Sequence, residues 1–324
     1  MILVISAAGG VGRPLVRGLT VRGLKVRAFV KNSAQAQLSR TDGAAEIAVG
    51  DLRATADLER ALVGVRQVYH VAPTQVIDEV PIAEVLIKAA GAAGVEHIAF
   101  HSVIHPDIKE LVHHHQKLLV EDLLHKSQIP FTILRPSHYM QNYLEFWQFI
   151  LAGLAPYPVS TSSVMGVVDV EDVAEVAANV LARPDDHIGK TYDLSAQELT
   201  RDQMAEIWAK TLGHNVTAVR LPPDAVNNPL AAASSLPTIV FDSLRNVGLR
   251  ALPEVIRGLR EASNARGINS WPREARNAYV TMMTYYDGHG LPAGDLDDLP
   301  RLLNRPPTTY AQFARRIAIE RGAL

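Results

Sequence analysis

The chain contains no cysteine among its 324 residues. That excludes disulfide frameworks, thiolate nucleophiles, iron–sulfur clusters, cysteine-ligated zinc and any thiol redox switch. An excess of charge of one sign is also lacking: 32 Lys and Arg stand against 34 Asp and Glu, for a net charge of −2. This balance gives no electrostatic case for DNA, RNA or an anionic membrane as an obligate partner. No apolar run is long enough to span a bilayer. No internal repeat or low-complexity tract is present. Met1 leads directly into Ile2-Leu3-Val4-Ile5, a run too short for a signal-peptide core and without a basic region before it. The expected location is the cytoplasm. What remains is an ordinary globular composition, 48% hydrophobic and 20% charged, in a chain long enough for two domains or for one large domain with an appended lobe.

The first half alternates short β-rich runs with helical patterns. Ile2–Ser6, Lys25–Val30, Ala45–Val49, Gln67–Val71, His97–Phe100 and Phe131–Leu134 read as strands. Val11–Arg22, Thr55–Leu62, Pro81–Ala93 and Ile108–Lys126 read as helices between them. This alternation implies βαβ crossovers and a parallel sheet with helices on both faces. After about residue 195 it fades. Leu199–Leu212 reads as a helix with Thr200 as N-cap and Gly213 as its stop, Val216–Leu221 as a strand and Thr308–Arg321 as a final helix. The expected division is residues 1–195 for the sheet domain, with 151–165 crossing to the second lobe, and 196–324 for a smaller lobe that binds or covers a substrate.

Between the first strand and first helix lies Ser6-Ala7-Ala8-Gly9-Gly10-Val11-Gly12, with Ser6 where a further glycine would complete G-x-x-G-x-x-G. Glycine at such a turn lets the backbone approach a pyrophosphate, which the helix N-terminus then attracts with free N–H groups and its dipole. Gly12 allows close packing of helix on strand, and Pro14 falls in the first helical turn, where a missing N–H costs little. The other reading of the turn is purely structural. The second strand ends at Val30-Lys31-Asn32. An acid there would suit the ribose hydroxyls of NAD(H); the cation Lys31 suits the 2′-phosphate of NADP(H), which is the preferred cofactor expected. Gly50-Asp51-Leu52 follows the third strand, where Asp51 and Leu52 would meet an adenine.

Together with Gly50-Asp51-Leu52-Arg53, Val71-Ala72-Pro73, Phe131-Thr132-Ile133-Leu134-Arg135-Pro136, Tyr139-Met140-Gln141-Asn142-Tyr143, Val168–Ala174 and Arg305-Pro306-Pro307-Thr308, this turn gives the chain its likeness. It resembles the NmrA-like branch of the atypical short-chain dehydrogenase/reductase superfamily. The resemblance covers most of residues 1–220 and the last twenty or so, and is poor over 225–300. It implies an α/β fold: a Rossmann-type doubly wound parallel sheet that binds NAD(P), with a smaller, mostly helical C-terminal lobe. It also implies cofactor contacts from Ser6, Ala8, Gly9, Gly10, Val11, Gly12, Lys31, Asp51, Leu52, Ala72, Pro73, Lys117 and Pro136. It does not fix the reaction, because the family holds reductases of quinones, dyes and phenylpropanoids as well as redox sensors that only bind the dinucleotide.

In short-chain dehydrogenases a serine follows the fifth strand, and Tyr-x-x-x-Lys lies on the next helix. By this resemblance Ser102 and Lys117 match, and His113 stands in the tyrosine's place. Residues 113 and 117 are one helical turn apart and share a face with Val120 and Leu124. Histidine has an unperturbed pKa near 6.5, well placed for proton transfer, and Lys117 would lower it. The expected catalytic residues are Lys117, His113, Ser102 and Tyr139; the alternative is that Lys117 only holds ribose. His101, His138, Tyr143 and Trp147 are the expected substrate contacts, against ordinary packing for the aromatic ones.

Nine of the 12 histidines fall between His70 and His138. The absence of a compact ligand pattern gives no metal site. Three functions stay open: an NADP(H)-preferring oxidoreductase reducing a small carbonyl, enone, quinone or aromatic compound; a non-catalytic NADP(H)-binding sensor; and a redox-neutral lyase, isomerase or hydrolase using the histidines. A monomer or homodimer is expected.

Overall fold

The computed structural model describes residues 1–262 and 265–324. Residues 263 and 264, within the poorly matching 225–300 segment, lie outside the described residues. The chain forms two compact units that interleave in sequence: Met1–Pro136, Val170–Leu194 and Gly294–Pro307 make the first, and Ser137–Asp169, Ser195–Ala293 and Thr308–Leu324 the second.

The first unit is built on β1 (Ile2–Ile5), β2 (Val26–Val30), β3 (Glu46–Val49), β4 (Gln67–His70), β5 (His97–His101), β6 (Phe131–Pro136) and the edge strand Thr191–Leu194. Their order across the sheet is Thr191–Leu194, β6, β5, β4, β1, β2, β3, and every neighbouring pair is parallel. Between them run α1 (Gly12–Val21), α2 (Ser33–Thr41), α3 (Thr55–Leu62), α4 (Glu79–Ala92) and α5 (Val112–Lys126). All four residues of β1 and all five of β5 are buried, as a sheet covered on both faces requires. Leu3 and Ile5 join one core with Leu58 and Leu62 of α3, Leu86 of α4 and Val120 and Leu124 of α5. Ile2 and Val4 point to the opposite face and are equally buried. This is the doubly wound Rossmann-type sheet, and its strand order reverses between β1 and β4. In such sheets ligands bind outside the carboxyl ends of the strands at that reversal.

The second unit pairs His138–Tyr139 and Gln197–Thr200 with Val164–Val168, and Thr217–Arg220 with Leu154–Tyr157. It is therefore less purely helical than its sequence pattern indicates. Its helix Arg201–Leu212 starts at a full capping box from Thr200 and Gln203 and stops at Gly213, whose φ is +72°. Arg201 is 2% exposed. Its guanidinium donates to the carbonyls of Val159 at 2.7 Å, Tyr157 and Val219 at 3.2 Å, and Ala155, fastening the helix to the strands.

Two local expectations need correction. The helix expected from Ile108 starts at Val112, because His105 takes φ +49° and residues 105–111 form successive turns. The sixth strand, expected over Phe131–Leu134, runs on to Pro136, which lies within β6 beside Leu194 and whose carbonyl accepts the N–H of Ile104.

Candidate functional site

The glycine turn leaves β1 at Ser6, whose φ of +53° lies in the left-handed region that glycine enters freely. Ser6 also does something glycine would not: its hydroxyl donates to the Val71 carbonyl at 2.9 Å, tying the turn to the end of β4. The glycines differ in what holds them. A Cβ on Gly12 would strike the backbone carbonyl of Ser6 and lie 2.7 Å from that of Ala7, so helix–strand packing demands glycine there. Gly10 has no such neighbour within 4 Å, and its backbone is outside the left-handed region. Gly9 and Gly10 are both exposed. The first turn of α1 holds no acid, and no side chain caps its start. An exposed, glycine-lined helix N-terminus with uncapped N–H groups fits a diphosphate.

Around this turn, Lys31 is exposed and makes no ion pair among the described residues; only its backbone N–H is engaged, by Gln35. Arg13 and Arg17 are the nearer cations in sequence, but both are bound to Asp42, at 2.7 and 3.0 Å. Asn32 is used as the cap of α2. The Asp51 N–H is held by the Asp57 carboxylate at 2.8 Å, and Asp51 itself accepts from the Arg53 N–H. Ala72 and Pro73 follow the end of β4, and Pro136 ends β6, so all these residues stand at the carboxyl edge of the one sheet.

At the same edge α5 supplies Lys117. Its ammonium donates to Glu79 Oε1 at 2.9 Å and to the carbonyl of His101, the last residue of β5, at 2.8 Å. It also lies 4.9 Å from the centre of the Phe100 ring. An ammonium has three donors, so one remains. Glu79 is buried, which pushes its carboxyl up; Lys117 and then His70 pull it down further, to about 2. It is therefore ionised at any working pH. His70 Nε2 stands 3.4 Å from Glu79 Oε1, and neither ring nitrogen of this buried histidine has a hydrogen-bond partner. His101 Nδ1 meets the Tyr69 hydroxyl at 2.5 Å. Burial, reinforced by Lys117, lowers His101 to about 3, so it is neutral.

His113 is half-buried at the start of α5, and its Nε2 lies 2.8 Å from the Thr74 carbonyl. A carbonyl only accepts, so Nε2 carries the proton and Nδ1 the lone pair. Nδ1 has no partner. Burial lowers the His113 pKa, the Thr74 carbonyl opposes this, and Lys117 adds to it. Ser102 donates instead to Glu121 Oε1 at 2.5 Å, and Glu121 is clamped by Arg135. The structure thus brings Lys117, His101 and His113 into one neighbourhood and commits Ser102 to a second buried ion pair. Among the described residues no group of three or more His, Asp or Glu is placed to hold a metal ion.

The remaining candidates belong to the second unit. His138 Nε2 lies 2.9 Å from the Tyr157 hydroxyl and 3.2 Å from the Asn142 amide nitrogen. Tyr143 is 7% exposed, and its hydroxyl has no partner. With Arg201, Trp208 and Tyr310 it lines a small cavity. Trp147 packs edge-on against Trp208, 5.6 Å between centres, in the core of that unit. Burial pushes the pKa of Tyr139 and Tyr143 above the ordinary phenol range, keeping both protonated.

Sequence reasoning missed Glu79 and Tyr69. Glu79, two residues before Pro81, reads as an acid in an exposed first helical turn. Only its 3% exposure and its partner on another helix mark it out. Tyr69 carried a signal, a polar aromatic inside an otherwise apolar central strand.

A model of the NmrA-like family matches residues 1–246, more than half of the chain, which belongs to that family. It is 27% identical to the NAD(P)H azoreductase of Xenophilus azovorans across the whole length of both. It is 30% identical to quinone oxidoreductase 2 of Escherichia coli, over 67% of this chain and 76% of that one. The solved structure of Citrobacter sp. triphenylmethane reductase complexed with NADP(H) shares the fold, with a TM-score of 0.74, 21% identity and coverage of 98% and 99%.

Proposed function

We propose that this NmrA-like protein is an NAD(P)H-dependent reductase, preferring NADP(H), that reduces a small quinone or another aromatic or carbonyl compound. The observation that carries the reading is the carboxyl edge of the sheet. The glycine-lined start of α1 follows β1 there, and Lys117, held in place by Glu79 and the last carbonyl of β5, stands on the same edge. The azoreductase and quinone-reductase relatives support the reaction class.

The dinucleotide, when bound, supplies the hydride. Ser6–Gly12 would take its diphosphate, Lys31 its 2′-phosphate, and Asp51 and Leu52 its adenine. Ala72, Pro73 and Pro136 would border it. Lys117 offers its third N–H to a ribose hydroxyl or to the substrate oxygen, where it stabilises the negative charge that reduction develops. His113 is the proton-exchanging group in this reading: Thr74 fixes its tautomer and leaves Nδ1 as a buried lone pair without a protein partner. His101 is neutral and buried and sets the position of Lys117 through its carbonyl. Ser102 holds Glu121, and Tyr139 is kept protonated by burial; neither carries the proton in this reading. His138, Tyr143 and Trp147, all buried within the second unit, are given no part in the proton or hydride step by this reading.

The neutralisation of Lys117 by Glu79, together with histidine in place of the acid/base tyrosine, favours one second reading, a dinucleotide-binding sensor. Steady-state NADPH oxidation separates the two, with quinone, azo and triphenylmethane acceptors and with NADH for comparison. A reductase turns over, and Lys117→Ala or His113→Ala lowers kcat by about 100-fold or more. Tight NADPH binding with no oxidation by any acceptor overturns the reductase reading.

A further inference from the structure

The second unit carries an apolar surface that the proposed reaction does not use. Among the described residues nineteen large hydrophobic side chains are exposed, and nine of them fall between Leu230 and Leu259. Leu230 is 82% exposed, Phe241 67%, Leu249 77% and Ile256 66%. Seven of the nine lie on the helices Leu236–Val247 and Leu252–Ala262, which already have one buried apolar side: Ile239 and Val255 pack with Phe149, Leu154 and Val219 in the core of the unit. Phe241 and Leu244 on one helix, and Leu252, Ile256 and Leu259 on the other, recur at three- and four-residue spacing, so each helix has a second apolar face turned outward. Singly exposed leucines are unremarkable; exposed apolar residues concentrated on helices that pack against one another point to an interaction surface.

We propose that this face is the interface of a homodimer, with a second copy of the chain as the occupant. Area and charge select it. The exposed fractions of the nine side chains together come to roughly 800 Å², which is what each partner contributes to a standard stable interface. A twofold interface must also be self-complementary, so a patch meeting its own copy needs both signs of charge at its border. Here Asp242 and Glu254 stand among Arg245, Arg250 and Arg257, and Glu254 is paired with Arg257 one turn later. A surface built for anionic lipid would instead carry a one-signed cluster of lysine and arginine. The chain has no lysine after Lys210, and the arginines that border the patch are the cations enriched at protein interfaces.

The test is sedimentation of the full-length protein over a range of concentrations, wild type beside Phe241→Glu/Ile256→Glu. These positions are largely solvent-exposed, so circular dichroism and Tm of the variant should match wild type. The wild type is expected to sediment at twice the chain mass, and the variant to dissociate at least 100-fold more readily. Because the native chain has no cysteine, single thiols report location without background. Leu230→Cys, Phe241→Cys, Leu249→Cys and Ile256→Cys are each treated with a short bis-maleimide, with Val21→Cys, exposed on α1 of the first unit, as the control. Covalent dimer from at least one of the four and none from the control supports the proposal, even if the double variant folds poorly. A wild type that stays monomeric at all concentrations overturns it, and so does a dimer that survives the double variant or cross-links only at Val21→Cys. Monomeric protein that floats with phosphatidylcholine/phosphatidylglycerol vesicles, and loses that binding in the double variant, overturns it in favour of a lipid surface. None of these readouts depends on NADPH oxidation.

Discussion

Lys117 of α5 and Glu79 of α4 form an ion pair of 2.9 Å with side chains 13% and 3% exposed. Their positions are 38 residues apart in sequence. Breaking such a pair by removing one partner leaves a buried charge uncompensated, at a cost of about 3 kcal/mol. Glu79→Gln is therefore expected to destabilise the protein by about that amount, whereas Glu79→Gln/Lys117→Met recovers much of it because no charge is left behind. Urea unfolding of the two singles and the double measures the coupling. Additive effects would mean that the pair is not a unit. Activity separates the roles: the double variant should be stable and inactive.

The two glycines at the start of α1 make opposite predictions. Gly12→Ala forces a Cβ against the carbonyls of Ser6 and Ala7, backbone groups that cannot swing aside. A loss of about 1–3 kcal/mol, read as a lower Tm, is expected. Gly10→Ala meets nothing within 4 Å in the protein. Its Tm should stay level or rise slightly, because alanine restricts the unfolded chain. Its NADPH Kd should nevertheless weaken by about 10-fold, the methyl occupying space a diphosphate needs. Unchanged affinity in Gly10→Ala would locate the dinucleotide elsewhere.

In the proposed site Lys31 is the candidate cation for a 2′-phosphate, because Asp42 binds Arg13 and Arg17. Lys31→Ala should raise the Kd for NADPH by about 10-fold and leave NADH nearly unchanged, with the difference shrinking as salt is added. Calorimetry with both nucleotides measures it. Equal losses for both would assign Lys31 to something the two share.

How much of this was legible follows the range of each interaction. Thr200 and Gly213 were readable as helix ends because their chemistry is local, a hydroxyl cap and a left-handed residue. The strands β1, β2, β4, β5 and β6 were readable because nearly all their residues are buried; β3, at the sheet edge, is half-buried to exposed and was readable only as a short apolar run ending at Gly50. The edge strand Thr191–Leu194 was not: Thr191 is exposed and Asp193 half-buried, so no apolar run announces it. Lys117 was reached through the family resemblance, which needs only its own helix, where His113 lies one turn earlier. Glu79 could not, because its partner lies on another helix. Ser6 looked like a defect in the glycine pattern, and the compensating bond runs to Val71, 65 residues away.

The buried histidines predict an acid-labile fold. His97 is lowered to about 4 by burial and by His187, His101 to about 3 by burial and Lys117, and His114 to about 4 by burial against the His105 carbonyl. Each stays neutral in the folded protein while its unfolded form takes up a proton below about pH 6.5. The unfolded state then binds more protons, so stability rises with pH up to that point and falls as pH drops below it. Glu79 adds to the loss only further down, between its ordinary range and about 2. At pH 5.5 each histidine is expected to cost on the order of 1 kcal/mol relative to pH 7.5. Thermal scans from pH 7.5 to 5 should show a continuous fall in Tm. His97→Gln, which keeps a donor for Thr132 without a titrating ring, should flatten that fall by about a third while leaving the rest. A Tm independent of pH over this window would mean that these rings are protonated in the fold, with water or acids beside them that the neutral reading leaves out.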